Sequence, residues 1–146
     1  MIEFVPIKRT FEENPEFISN PDCADSLQMS VDYYKIIGFT PPWLCYYVRL
    51  EGELVGVAAF KGKPVNNRVE IAYGTFPRFR QHGIGTEICQ QLVILALKMD
   101  PDLIITARTL PEYNYSTRIL QKNGFRFTGV VWDNEDGNVW EWVFER

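Results

Sequence analysis

Histidine occurs once in these 146 residues and cysteine three times. A single histidine, His82, rules out a histidine-rich metal site. Cys23, Cys45 and Cys89 form no CxxC pair, so a zinc site lacks its usual paired ligands and no metal is expected. An odd cysteine count without paired spacing also argues against a disulfide framework, which suits a reducing, cytoplasmic compartment. Positive charge is scarce: 15 Lys and Arg face 19 Asp and Glu, for a net charge of −4 and a pI near 5.0. Nucleic-acid binders carry the opposite balance, so no nucleic-acid partner is expected. Long apolar runs are missing too. Leu92 to Leu97, as long as any, is far too short to cross a bilayer. The start, Met1-Ile2-Glu3-Phe4, has no basic segment before an apolar stretch, so neither a signal peptide nor a membrane partner is expected. Repeats, low-complexity segments and Ser/Gly-rich linkers are absent.

What is present suits one globular domain spanning residues 1–146, with 46% hydrophobic and 23% charged residues. Ile2 to Ile7 reads as a strand, and Thr10 to Ser19 as weakly helical. Leu27, Val31, Tyr34 and Ile37 recur at helical spacing within Asp25 to Ile37, with Gly38 as a stop. Leu44 to Leu50 and Leu54 to Phe60 form a hairpin around Glu51-Gly52-Glu53. Arg68 to Phe76 alternates as a strand. A helical stripe of Ile84, Ile88, Leu92, Leu95, Ala96 and Met99 follows, ended by Pro101. Leu103 to Ala107 is a short apolar strand. This strand–helix–strand succession is a βαβ unit whose strands run parallel. A short helix, Asn114 to Asn123, precedes a last hairpin, Phe125 to Trp132 with Val139 to Phe144. The expected fold is α/β (α+β): a mixed, mostly antiparallel sheet of about six or seven strands, flanked by helices.

The segment Phe76-Pro77-Arg78-Phe79-Arg80-Gln81-His82-Gly83-Ile84-Gly85-Thr86 lies between a strand and the strongest helix. A helix start leaves backbone N–H groups unpaired and partly positive, and glycines let a ligand approach. The combination suits a phosphate or pyrophosphate, and equally a turn in which Gly83 and Gly85 only permit tight packing. Arg78 and Arg80 add positive charge, which is how an acidic chain could hold an anion. A P-loop would need lysine before Thr86, and a dinucleotide fold would need a third glycine where Ile88 stands; both motifs fail.

Arg80-x-x-Gly83-x-Gly85 matches the Arg/Gln-x-x-Gly-x-Gly/Ala signature of the GNAT superfamily of N-acetyltransferases, which the chain resembles. Glu70-Ile71-Ala72-Tyr73-Gly74 looks like that family's fourth strand and Leu103 to Ala107 like its fifth. Asn114-x-Ser116 with Leu120-x-Lys122-x-Gly124-Phe125 is similar to the branch that includes ribosomal-protein N-terminal acetyltransferases. The likeness runs from about Leu44 to the C-terminus. In many relatives the asparagine lies three residues before the serine; here Tyr113 holds that position and Asn114 lies two before.

The resemblance implies transfer of an acetyl group from acetyl-CoA to a primary amine by direct attack in a ternary complex. It places the pyrophosphate on backbone N–H groups of Gln81, His82, Gly83, Ile84 and Gly85, with Thr86. It places an oxyanion donor in the Thr75–Phe76 region, and Arg78, Arg80, Asn114 and Lys122 around the cofactor. Glu70 is the candidate base, although a half-exposed strand glutamate needs no such role. Ser116 aligns with a thiolate-stabilising donor and equally suits a helix N-cap. Tyr113 and Tyr115 are alternative donors that could equally be packing residues. The acceptor, a small-molecule amine or a peptide N-terminus, is expected against the Asn14–Trp43 segment, which offers Asp22, Asp25, Asp32, Tyr33, Tyr34, Phe39 and Trp43. A second reading is a GNAT-like module that binds acyl-CoA without turnover. Monomer and homodimer both stay open.

Overall fold

The computed structural model describes residues 1–80 and 82–146. Seven strands form one sheet in the order β1-β2-β3-β4-β5-β7-β6. They are β1 (Ile2–Pro6), β2 (Cys45–Leu50), β3 (Glu53–Phe60), β4 (Arg68–Thr75), β5 (Ile104–Thr109), β6 (Phe125–Asp133) and β7 (Gly137–Phe144). Every neighbouring pair is antiparallel except β4 and β5, which the intervening helix makes parallel. The helices are α1 (Pro15–Ile18), α2 (Ala24–Ile37), α3 (Ile84–Met99) and α4 (Tyr115–Lys122). Thr10 to Ser19 is more broken than its sequence suggests, because Pro15 interrupts it: a short turn over Phe11–Glu13 precedes α1.

Helices cover both faces of the sheet. On one face Tyr47 takes a hydrogen bond with Ser26 of α2 (2.6 Å), and Tyr34 of α2 donates to Ile7 O (2.7 Å). On the other, α3 and α4 pack together: Ile88, Leu92 and Ala96 of α3 and Ile119 and Leu120 of α4 are buried. Burying such a side chain is worth about 1.5–3 kcal/mol, so the α3 stripe alone fastens that layer. Gly83 opens α3 at φ 77°, a left-handed turn that only glycine adopts without strain. No helix among the described residues is long and apolar enough to cross a membrane.

The feature that positions the site is a split. The β4–β5 pairing begins at Arg68↔Ile104 and ends at Ile71↔Ala107, while β4 runs on to Thr75 and β5 to Thr109. Thr106 and Ala107 pair with β7 as well as with β4, and Arg108 and Thr109 pair with β7 alone. The two central strands therefore diverge and leave a wedge through the sheet.

Candidate active site

The direction of each amide along β4 follows from its neighbours. Lys61 N donates to Glu70 O (2.9 Å) and Phe76 N donates to Val55 O (2.8 Å), so the even-numbered residues of β4 bond to β3. Ile104 N donates to Asn67 O (2.9 Å), so the odd-numbered ones face β5. Beyond Ile71 that partner has left, and the alternation aims the amides of Tyr73 and Thr75 into the wedge. This corrects the expectation for Phe76: its N–H is spent on β3, and its ring lies beside Tyr47 on the α2 face (centroids 6.3 Å).

On the α3/α4 face a cavity of about 700 Å³ opens against the wedge. Tyr73, Gly74, Thr75, Arg80, Tyr115, Ser116 and Arg118 are among its walls. Its size suits an organic ligand. It leads to a second concavity lined by Gly83, Thr86, Tyr115, Arg118, Ile119 and Lys122 at the N-terminus of α3. A Cβ on Gly83 would meet nothing within 4 Å, so the helix start faces open space, whereas one on Gly85 would lie 2.7 Å from Ile119 Cδ1. This is a cradle with bare amides, a helix dipole and two basic side chains, and it fits a pyrophosphate.

Of the residues expected there, Gly83, Ile84, Gly85, Thr86 and Lys122 gather at the cradle. Thr75 and Arg80 line the cavity, where Arg80 Nε donates to Thr75 O (3.2 Å). His82 is exposed beside it. Gln81 lies outside the described residues. Arg78 is corrected: it pairs with Asp22 (2.8 Å) and lies over its neighbour Phe79, turned toward the α1–α2 side. Tyr113 is corrected as well. It is 73% exposed and packs edge-on against Trp140 (centroids 4.9 Å), outside the cavity walls. Asn114 lines the cavity while its side chain caps α4, accepting from Thr117 N (3.1 Å). Because Asn114 takes the cap, Ser116 is free of that duty. Tyr73 Oη donates to Ser116 O (3.2 Å) and ties the start of α4 to β4 across the wedge. Burial raises the Tyr73 phenol far above its ordinary pKa, so it is a hydrogen-bond donor and not an acid.

Arg118 escaped the sequence reading. The signal was there: Tyr115, Arg118, Ile119 and Lys122 recur at i, i+3, i+4 and i+7, a helix stripe carrying two cations toward one ligand.

A smaller cavity of about 260 Å³ passes through the split. Tyr73 and Ser116 belong to both cavities, and Lys61, Arg108, Asp133 and Asp136 form its far mouth. Glu70 stands beside this mouth, held by Lys61 Nζ at 3.1 Å and by Arg108 Nε at 3.8 Å. Burial alone would lower the Lys61 pKa; the charge and hydrogen bond of Glu70 outweigh it, and the ammonium ends above its ordinary value. From the Asn14–Trp43 segment, Tyr33 is half-buried against the core. Burial raises its pKa first, and the charges of Lys61, Glu70 and Glu135 act on it in turn. Asp32 instead pairs with Lys35 (3.6 Å), and Trp43 packs on Phe60 (centroids 5.0 Å). All three cysteines are buried, and burial pushes the Cys89 thiol up to about 12, so none is a ready nucleophile.

A parallel pair that splays open, with a glycine-opened helix on one face and a polar mouth on the other, defines an acyl-transfer fold. The chain belongs to the acetyltransferase (GNAT) domain family, whose model matches residues 8–126. That membership implies acyl transfer from acetyl-CoA to amines, with acetyl-CoA as the cosubstrate. Among solved structures, the chain is similar to RimL, a ribosomal alpha-N-protein acetyltransferase in complex with coenzyme A (15% identity, 97% of this chain and 92% of that one, TM-score 0.69). It is also similar to an aminoglycoside acetyltransferase in complex with coenzyme A (18%, 100% and 94%, TM-score 0.68). A GNAT acetyltransferase from Bacillus anthracis matches over 68% of this chain and 64% of that one, at 23% identity and a TM-score of 0.59. Among curated proteins, none matches the sequence significantly.

Proposed function

We propose that this chain transfers the acetyl group of acetyl-CoA to a primary amine by direct attack, with both substrates bound at once. The observation that carries the reading is the continuity of the two cavities: Tyr73 and Ser116 border both, so a donor on the α4 face and an acceptor on the α2 face meet in the split.

Bound acetyl-CoA supplies an activated thioester carbonyl. The protein's part is placement and charge. The amides ahead of α3, with Arg118 and Lys122, hold the diphosphate. The amides of Tyr73 and Thr75 face the gap where negative charge develops on the carbonyl oxygen; one such donor is typically worth roughly 3–4 kcal/mol. The amine arrives as an ammonium, whose ordinary pKa is about 10, and must lose a proton before it can attack. Glu70 collects that proton, directly or through water. As the C–N bond forms and the C–S bond breaks, the Ser116 hydroxyl donates to the departing sulfur.

Two measurements test this. Free-thiol release with acetyl-CoA and an amine panel should show turnover that depends on the amine. Glu70→Gln should lower kcat by about 10²–10⁴-fold, the range for a positioned general base, while the Kd for acetyl-CoA stays within about twofold. An unchanged kcat removes Glu70 as base. The second reading, an acyl-CoA-binding module without turnover, draws on one observation: both cations beside Glu70 already neutralise it. Saturable acetyl-CoA binding without thiol release for any amine would decide for that reading.

A further inference from the structure

We infer that Lys61 is a modification site: with acetyl-CoA bound and no amine in the mouth, the protein transfers the acetyl group to the Nζ of its own Lys61. The inference rests on the acetyltransferase reading and goes beyond it, because the acceptor is a residue of the chain itself.

Placement carries the case. Among the described residues Lys61 is the lysine that lines the through-split cavity, and it shares that cavity with Tyr73 and Ser116, which also border the cofactor cavity. Its Nζ lies 3.1 Å from Glu70 Oε2. A primary amine, the proposed base and the border of the donor cavity therefore meet around one space of about 260 Å³. Lys61 N donates to Glu70 O (2.9 Å), which fixes the root of the side chain across from Glu70. Beyond Glu70 the same face of β4 carries Ala72 and Gly74, so no large β4 side chain stands between the ammonium and the split. The other lysines lack this placement. Lys8 and Lys63 are exposed, Lys35 pairs with Asp32 on α2, Lys98 lies on α3 beside β1, and Lys122 lines the diphosphate cradle.

The chemistry balances without a further reactant. Lys61 starts as an ammonium and loses two protons. One leaves by way of Glu70 to water and frees the lone pair. The lone pair attacks the thioester carbon, the C–N bond forms, the C–S bond breaks, and the second proton ends on the coenzyme A sulfur. At neutral pH roughly one lysine in a few thousand carries a free amine. Burial favours the free amine at Lys61, but the charge and hydrogen bond of Glu70 outweigh it, so the amine is rarer still there. Transfer is therefore slow, and it proceeds because a nucleophile confined with the thioester has an effective concentration far above any in solution. The same ion pair gives the test its contrast. In bulk reaction with acetyl-CoA the lysine that deprotonates least is labelled last, so labelling of Lys61 ahead of exposed Lys63 reports the cavity. The product is a neutral amide, and Glu70 is left with Arg108 at 3.8 Å as its cation.

The test is peptide mapping by mass spectrometry after the full chain is incubated with acetyl-CoA and no amine, at two protein concentrations, beside the same chain in urea and the variant Lys61→Arg. In the folded protein, label should reach Lys61 about tenfold faster than Lys63, at a first-order rate that does not change with protein concentration. In urea that preference should vanish. Lys61→Arg, which keeps a cation beside Glu70, should lose the fast label without gaining another site. An added amine that supports thiol release should slow the labelling of Lys61 by competing for the acetyl group. Label spread over the lysines by exposure, or a rate that rises with protein concentration, would overturn transfer within one chain. So would thiol release with an added amine while Lys61 stays unlabelled, a result that leaves acetyl transfer intact. Neither label nor thiol release with any amine would overturn the acetyltransferase reading, and this inference with it.

Discussion

Arg118 and Gly85 define the cofactor side at the scale of single residues. Arg118 stands exposed on α4 between the two concavities, and no carboxylate among the described residues pairs with it. A cation placed so has a diphosphate as its natural partner. Arg118→Ala should weaken acetyl-CoA binding about tenfold in calorimetry, with a smaller salt dependence than the wild type. Binding of a pantetheine fragment without phosphates should not change. Gly85 is a steric matter. An added Cβ would lie 2.7 Å from Ile119 Cδ1 and 3.3 Å from Thr75 Oγ1, and Ile119 is buried. Gly85→Ala should cost about 1–3 kcal/mol by overpacking, despite alanine's better helix propensity, and should raise the Kd for acetyl-CoA by displacing α4. Urea unfolding and calorimetry measure the two effects separately. The residues that the sequence misplaced share a cause. Arg78 looked like a mouth cation because it is close in sequence to Gly83, yet its partner Asp22 lies 56 positions away. Phe76 looked like a donor at a strand end, yet its N–H is fixed by Val55 on the neighbouring strand. Local spacing carries no information on either.

Elements were far more legible, because periodicity is a local property. The alternation in β4, the stripe in α3 and the glycine after α2 all lie where hydrophobic spacing and turn chemistry put them. The strand bounds shift by only one or two residues, where β5 gains Arg108 and Thr109 by pairing with β7. The split itself was invisible to pattern, since it records which residues stop pairing. Two predictions belong to this scale. Gly56 of β3 packs so closely on β4 that a Cβ would lie 2.3 Å from Gly74 O, a backbone atom with no freedom to move aside. Gly56→Ala should therefore destabilise by at least about 2 kcal/mol, read as a lower urea midpoint with an unchanged slope. The β6–β7 turn depends on Asp133. Its carboxyl is held below the usual value of 3.8, first by the Glu135 amide, then by the Asp136 amide and Arg108, against slight desolvation. A depressed folded pKa means the stabilisation is complete above about pH 3.8 and fades as pH falls through the folded value. The stability gap between wild type and Asp133→Asn, read from urea midpoints, should hold near neutral pH and close below pH 3.8.

At the scale of the whole molecule the split is a structural cost. Two central strands give up backbone pairs at Tyr73 and Thr75, and the Tyr73–Ser116 hydrogen bond is the polar tie that holds α4 to β4 across the opening. A ligand lying in the large cavity touches β4, the start of α3 and the length of α4, so it replaces missing sheet contacts with its own. Binding to the folded state alone stabilises by about 2.7 kcal/mol when the ligand is at 100 times its Kd. For a chain of this length that corresponds to a rise in Tm of roughly 8–10 °C. The gain should also have an address. Amide hydrogen exchange should slow most at Tyr73 to Thr75, at Gly83 to Thr86 and along α4, and least at the outer pair β1 and β2, which the cavity does not reach. A rise in Tm spread evenly over the sheet, or protection concentrated on the α2 face, would mean that the cofactor binds elsewhere than the wedge. Slowed exchange confined to the three predicted segments would mean that coenzyme A completes the sheet at the place where its own strands part.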